Sequence, residues 1–216
     1  AGIPFEVVPG VTSALAVPAY AGIPVTDRRY ASSLRVLTGN TGETDRGASG
    51  LPEETVVALM AVRRLPTLVD QLRADGWPAS TPVALIERGT TSRQRTLNTT
   101  LGEAIRTASD RELSPPAITV VGRVVEARNR IAWFEQKRLF GLRVLVTRAK
   151  SQAQNLRKLL DDDGADAVVA SSIEFQDPSD WSSVDRSIAG LDRFEWIAFT
   201  SQNAVTRFLQ RMWHHG

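Results

Sequence analysis

The amino-acid sequence predicts an α/β fold in two portions, a mixed-sheet domain over residues 1–135 and a parallel-sheet domain over residues 142–216. Three observations carry this. Short continuous apolar runs, such as Thr55-Val56-Val57-Ala58-Leu59-Met60 and Ala117-Ile118-Thr119-Val120-Val121, have the length of strands buried on both faces. Between them lie segments with apolar residues at helical spacing, bounded by Gly and Pro. After Phe140-Gly141-Leu142 the order becomes β-α-β-α-β-α, which calls for parallel strands and right-handed crossovers.

In the first portion the run Phe5-Glu6-Val7-Val8 reads as a strand that stops at Pro9-Gly10. Thr12 and Ser13 then stand at the start of a small-residue helix, where a hydroxyl caps free backbone N–H groups. Leu34 to Leu37 is a short strand ending at Thr38-Gly39-Asn40, and Thr41 to Leu51 is a polar, Gly-containing loop. Thr55 to Met60 is a strand. Leu65, Leu68, Val69 and Leu72 mark a helix that Gly76 ends. Pro82 to Ile86 is the next strand, with Gln94 to Leu97 as its neighbour. Leu101 to Ala108 suits a helix, and Pro115-Pro116 leads into the strand Ala117 to Val121. A final helix carries Val124, Val125, Ile131, Trp133 and Phe134.

Gln136-Lys137-Arg138 interrupt the apolar pattern, so residues 136–141 read as a linker. Arg143 to Arg148 is then a strand. Ser151 is a candidate cap for a helix bearing Ala153, Leu156, Leu159 and Leu160, which Gly164 ends. Ala167 to Ala170 is a second strand, and Val184, Ile188 and Leu191 mark a second helix. Trp196 to Phe199 reads as a third strand, followed by a helix with Val205, Phe208, Leu209 and Met212.

Composition narrows the function. The chain has no cysteine, so disulfides and thiolate chemistry are excluded. Its two histidines, His214 and His215, are adjacent and terminal, a poor metal site, and no metal is expected. No apolar run approaches a membrane span and no signal-peptide pattern is visible, so the expectation is a soluble cytoplasmic protein without a membrane partner. No basic block interleaves with aromatics, which leaves a nucleic-acid partner unsupported. Charge is uneven: residues 1–150 hold 20 basic and 14 acidic side chains, and residues 151–216 hold 6 and 10. The basic portion would attract a polyanionic small molecule.

Four places in the first portion lie where a strand ends and the chain turns: Thr12-Ser13, Thr38-Gly39-Asn40, Met60-Ala61-Val62, and Glu87-Arg88-Gly89-Thr90-Thr91. Ligands of open α/β sheets favour such strand-end crevices. Each also has a plain structural explanation. A methionine ending an apolar strand is commonly core, Gly89 can supply positive φ, and Glu87 with Arg88 can be a solvated pair.

The longer string Val8-Pro9-Gly10-Val11-Thr12-Ser13-Ala14, with Pro18-Ala19-Tyr20-Ala21-Gly22-Ile23-Pro24-Val25-Thr26, resembles the second half of uroporphyrinogen-III C-methyltransferase. Met60, then Glu87 to Arg95, then Val120-Val121-Gly122-Arg123 and Trp133-Phe134 follow at that family's intervals. The resemblance implies the C-terminal αβα domain of a tetrapyrrole methylase, with S-adenosylmethionine as cofactor. It implies cofactor contacts at Thr12, Ser13, Met60 and Gly89. It further implies that Arg28 meets a propionate of a tetrapyrrole substrate, and that the full-length enzyme is a homodimer. Two positions depart from the family: Asp27 stands where a histidine is usual in Thr26-Asp27-Arg28, and Asn40 where one is usual in Thr38-Gly39-Asn40. No glycine-rich loop precedes Pro9, and no catalytic acid or base is assigned to any residue of this chain.

In the second portion, Leu142 to Arg148 and Trp196-Ile197-Ala198-Phe199-Thr200-Ser201-Gln202-Asn203-Ala204-Val205 resemble the beginning of uroporphyrinogen-III synthase. That implies a partial Rossmann- or flavodoxin-like domain with Ser201 and Asn203 as substrate contacts. Together the two resemblances imply part of a bifunctional enzyme of sirohaem and cobalamin synthesis, methylating uroporphyrinogen III and closing hydroxymethylbilane. The chain by itself is expected to be catalytically silent. The competing expectation is a non-catalytic nucleotide- or metabolite-binding module with a receiver-like unit, against which Asp161-Asp162-Asp163 sit at a helix end rather than a strand end.

Overall fold

The computed structural model describes residues 3–38, 53–174 and 176–215; the expected turn at Gly39-Asn40 and loop at 41–51 lie outside them. The chain divides into two compact units, residues 1–172 and 173–216.

The first unit opens on residues that make no strand. Phe5 and Val8 are 84% and 85% exposed, and the expected Phe5–Val8 strand is absent. An apolar run becomes a strand only when a neighbour takes its backbone bonds. Helix α1 (Ser13–Tyr20) then starts where expected, with Thr12 as its N-cap. Strands β1 (Ser33–Thr38) and β2 (Glu54–Leu59) are parallel neighbours, and α2 (Leu65–Ala74) follows. Strand β3 (Pro82–Glu87), β4 (Arg95–Thr100), α3 (Ala104–Asp110) and β5 (Ala117–Val121) complete a mixed sheet in the order β1-β2-β5-β3-β4.

Layers on both faces explain the largely apolar strands. Val56, Ala58, Val83, Leu85 and Val121 point to one face, against Leu65, Leu68 and Leu72 of α2 and Ala104 of α3. Val57, Ala84, Ile86, Ile118 and Val120 point to the other, against Ala14 and Val17 of α1 and Val124 and Val125 beyond β5. The pleat alternates the two sets, so each central strand is apolar along most of its length, with Thr55, Glu87 and Thr119 as buried exceptions.

The expected closing helix is broken into a 3-10 turn at Arg123–Ala127, α4 (Arg128–Ile131) and a second 3-10 turn at Phe134–Gln136. Ala132 is extended there. A Cβ on Gly22 would meet the Ala132 backbone at 2.8 Å, so the chain after α1 packs directly on the break. Beyond it, the Trp133 and Phe134 rings lie 5.2 and 4.7 Å from the Tyr20 ring.

Strands β6 (Arg143–Val146) and β7 (Asp166–Val169), joined by α5 (Lys150–Asp162), form a separate parallel pair. Ala149 occupies the N-cap of α5, so Ser151, the expected cap, lies inside the first turn. The two sheets are separate, but the compact units divide at 172/173, so residues 136–141 and both strands of this pair lie inside the first unit. Leu139 N donates to Asp163 O at 3.0 Å, tying this connection to the end of α5.

The second unit holds α6 (Ser182–Ala189) and α7 (Gln202–His215). Arg211 makes two bonds to Asp185, at 2.7 and 2.6 Å, and stacks over Trp181. The expected strand at Trp196–Phe199 is not formed, and Trp196 is 88% exposed. No strand of this unit is present among the described residues to pair with it.

Candidate cofactor crevice

Topology brings the strand ends together. β2 and β3 both run antiparallel to β5, which lies between them, so they run the same way. Their last residues, Leu59 and Glu87, therefore emerge at one edge of the sheet beside the start of β5 at Pro116-Ala117. A cavity of about 1090 Å³ opens there, with Leu59, Ile86 and Ile118 among its apolar walls.

Ser13, Met60 and Gly89 all line this cavity, although they belong to three distant parts of the chain. Met60 is 62% exposed, so it is not a core residue. It has φ +54°, in the left-handed region that disfavours any residue with a Cβ. Arg88 (φ +49°) and Thr90 (φ +68°) line the same cavity and share that conformation. Gly89 between them does not, so its lack of a side chain is not explained by positive φ. A Cβ at Gly89 would lie 2.3 Å from Val17 Cγ1: the glycine lets α1 pack on this loop.

The Thr12 hydroxyl accepts from Ala14 N at 3.3 Å and is engaged in capping α1. The loop after β3 is pinned on both sides. Arg88 N donates to Pro116 O at 2.8 Å, and Thr90 N donates to Gln94 Oε1 at 2.8 Å. Gln94, itself buried, donates to Glu135 Oε1 at 2.8 Å, while Thr96 and Arg128 donate to the same carboxylate. Glu87 is also buried, on the opposite side of β3 from the cavity-lining Ile86. Burial pushes its carboxyl up, but the hydrogen bonds from Ser114 (2.7 Å) and Arg95 (2.5 Å) outweigh that and leave it below the usual carboxylate range.

Arg28 is exposed and is not among the cavity residues. Its neighbour Asp27, at the position where a histidine was expected, is gripped by Arg29 at 2.6 Å. The side-chain hydrogen bond from Arg29 lowers the Asp27 carboxyl to about 2. In the second unit, the Ser201 hydroxyl accepts from Ala204 N at 3.2 Å and caps α7, while Asn203 lies in the first turn of that helix. Arg63 and Arg93, which also line the cavity, were not singled out from the sequence. The available signal was position: each follows shortly after a strand end that was.

Residues 1–105 match the family Tetrapyrrole (Corrin/Porphyrin) Methylases, and residues 154–216 match Uroporphyrinogen-III synthase HemD. A segment similar to tetrapyrrole methylases is thus followed by one similar to uroporphyrinogen-III synthase. Over 213 residues the chain is 36% identical to the porphyrin biosynthesis protein HemD of Ruminiclostridium josui, covering 95% of this chain and 42% of that protein. Over 138 residues it is 46% identical to siroheme synthase of Pseudomonas fluorescens, covering 62% of this chain and 30% of that protein. The crystal structure of uroporphyrin-III C-methyltransferase from Thermus thermophilus superposes with a TM-score of 0.50 at 34% identity, over 59% of this chain and 55% of that one. A Thermus thermophilus uroporphyrin-III C-methyltransferase complexed with S-adenyl homocysteine gives a TM-score of 0.49 at 33% identity, over 58% of this chain and 55% of that one. The chain thus spans less than half the length of these curated relatives. No helix among the described residues is long and apolar enough to cross a membrane, and no group of three or more His, Asp or Glu there is placed to hold a metal ion.

Proposed function

We propose that residues 1–135 carry part of the S-adenosylmethionine site of a uroporphyrinogen-III C-methyltransferase. Residues 142–216, after the 136–141 linker, belong to a uroporphyrinogen-III synthase domain. The observation that carries this reading is the convergence of Ser13, Met60 and Gly89 on one strand-end cavity. Such a crevice suits a nucleoside-bearing cofactor. The pinned backbone and small hydroxyls would hold its polar ends, and the exposed Met60 side chain would cover the adenine face. Thr12 contributes by capping α1 and so placing Ser13.

In the whole enzyme the crevice would hold S-adenosylmethionine, which would supply the methyl groups for C2 and C7 of uroporphyrinogen III, giving precorrin-2 and releasing two S-adenosylhomocysteine molecules and a proton. The synthase closes hydroxymethylbilane with inversion of ring D and loss of water. Arg28, Ser201 and Asn203 are substrate contacts in this reading. Ser201 also serves α7 as its cap. No residue of this chain is assigned as catalytic acid or base.

The test is calorimetric titration with S-adenosylhomocysteine. Met60→Ala should weaken binding about tenfold, the order expected from uncovering one apolar ring face, with the circular dichroism spectrum unchanged because Met60 is exposed. An unchanged dissociation constant would remove Met60 from the site.

A further inference from the structure

The cavity has a second property: among the described residues its lining carries three arginines, Arg63, Arg88 and Arg93, and no aspartate or glutamate. Arg88 is partly engaged, with its Nε 3.6 Å from Glu87 Oε1. Arg63 and Arg93 have no carboxylate within ion-pair distance among the described residues, and both are exposed at the rim. Arg29, Arg35, Arg95, Arg128, Arg143 and Arg211 each hold an acid. Other arginines, Arg28, Arg64 and Arg123 among them, also lack an acid within that distance among the described residues; what sets Arg63 and Arg93 apart is that they line the cavity.

We propose that Arg63 and Arg93 are a carboxylate-binding pair at the rim of the crevice. Their starting points are held by the fold. Arg63 sits in the 3-10 turn Val62–Arg64 directly after β2, and Arg93 N donates to Thr91 Oγ1 at 3.2 Å in the pinned loop after β3. A guanidinium fork binds carboxylate through two parallel bonds, and among the described residues no acid of the lining competes for it. Apolar walls below and cations at the rim suit a ring system bearing ionised side chains. This rests on the methylase reading of the same crevice. The ligand carboxylate has two sources, the acid side chains of the methyl acceptor or the amino-acid end of the cofactor, and both present the same chemistry.

The experiment compares the wild-type chain with Arg63→Gln, Arg93→Gln and the double variant, using Arg106→Gln on α3, outside the cavity, as a charge control. Uroporphyrin, an octacarboxylate, is titrated by quenching of protein fluorescence. S-adenosylhomocysteine and methylthioadenosine, which lacks the amino-acid end, are titrated by calorimetry. Each single variant should weaken uroporphyrin roughly three- to tenfold, and the double variant more, with a shallower salt dependence. The control should not differ from wild type. A loss confined to S-adenosylhomocysteine, with methylthioadenosine unaffected, keeps the carboxylate pair and assigns it to the cofactor. Undiminished binding of both acids in the double variant overturns the proposal. Wild-type binding of uroporphyrin without S-adenosylhomocysteine would remove the cofactor reading and leave the pair standing. Wild-type binding of neither overturns both.

Discussion

Gly89→Ala is the sharpest perturbation of the crevice, because the added carbon has nowhere to go. It would lie 2.3 Å from Val17 Cγ1, 2.6 Å from Cγ2 and 2.9 Å from Cβ. Rotating Val17 does not clear all three, so either α1 or the loop after β3 must shift. Overpacking of this kind costs about 1–3 kcal/mol. The upper half of that range applies here, since Val17 is buried among Ala14, Ile86 and Ile118. Val17→Ala alone removes two buried methyl groups, at about 0.8 kcal/mol each plus a cavity term, or about 2 kcal/mol. In the double variant the alanine at 89 enters the space those methyls leave. Its cost should therefore fall below the sum of the singles by about 1–2 kcal/mol. Urea midpoints of the four proteins at constant m measure the cycle. Coupling within about 0.5 kcal/mol of zero, the ordinary additivity of independent sites, would refute the packing account of Gly89. The folded Gly89→Ala protein should also bind S-adenosylhomocysteine more weakly, because Ser13 and Thr90 line the cavity on either side of the displaced contact.

Glu87→Gln should make stability less dependent on pH. The folded carboxyl titrates below its ordinary value of 4.5, so the unfolded chain takes up the proton first. The stabilisation is complete above about pH 4.5 and is lost as pH falls through the lower folded value. The gap in urea midpoint between wild type and variant should be full near neutrality and shrink in acid; a gap constant down to about pH 3 contradicts the assignment. Glu135→Ala removes the acceptor shared by Gln94 (2.8 Å), Thr96 (2.6 Å) and Arg128 (2.5 Å). With Arg128 only 12% exposed, the stranded donors should cost about 3 kcal/mol, read as a lowered midpoint, and a loss under about 1 kcal/mol would show that the network holds little.

How much was legible in the sequence follows from the range of each interaction. The five strands of the mixed sheet, the capped start of α1 and the stops at Gly76 and Gly164 are local features, set by side-chain period, capping chemistry and left-handed φ. Ser13, Met60 and Gly89 were nameable because each stands at a turn, and their neighbours in sequence mark it. The runs Phe5–Val8 and Trp196–Phe199 look the same locally as β3 or β5 yet form no strand. Pairing requires a partner, and apolar character cannot supply one.

By itself, then, the sequence determined the layers of this protein and the positions at which a ligand could be met. Only the tertiary structure decided what each position is for. Val17 makes Gly89 obligatory from more than seventy residues away, and that Arg63 and Arg93 meet no carboxylate among the described residues depends on where those acids come to rest. Burial pattern and capping are written residue by residue, whereas steric exclusion and charge pairing act through space between segments the chain brings together only on folding.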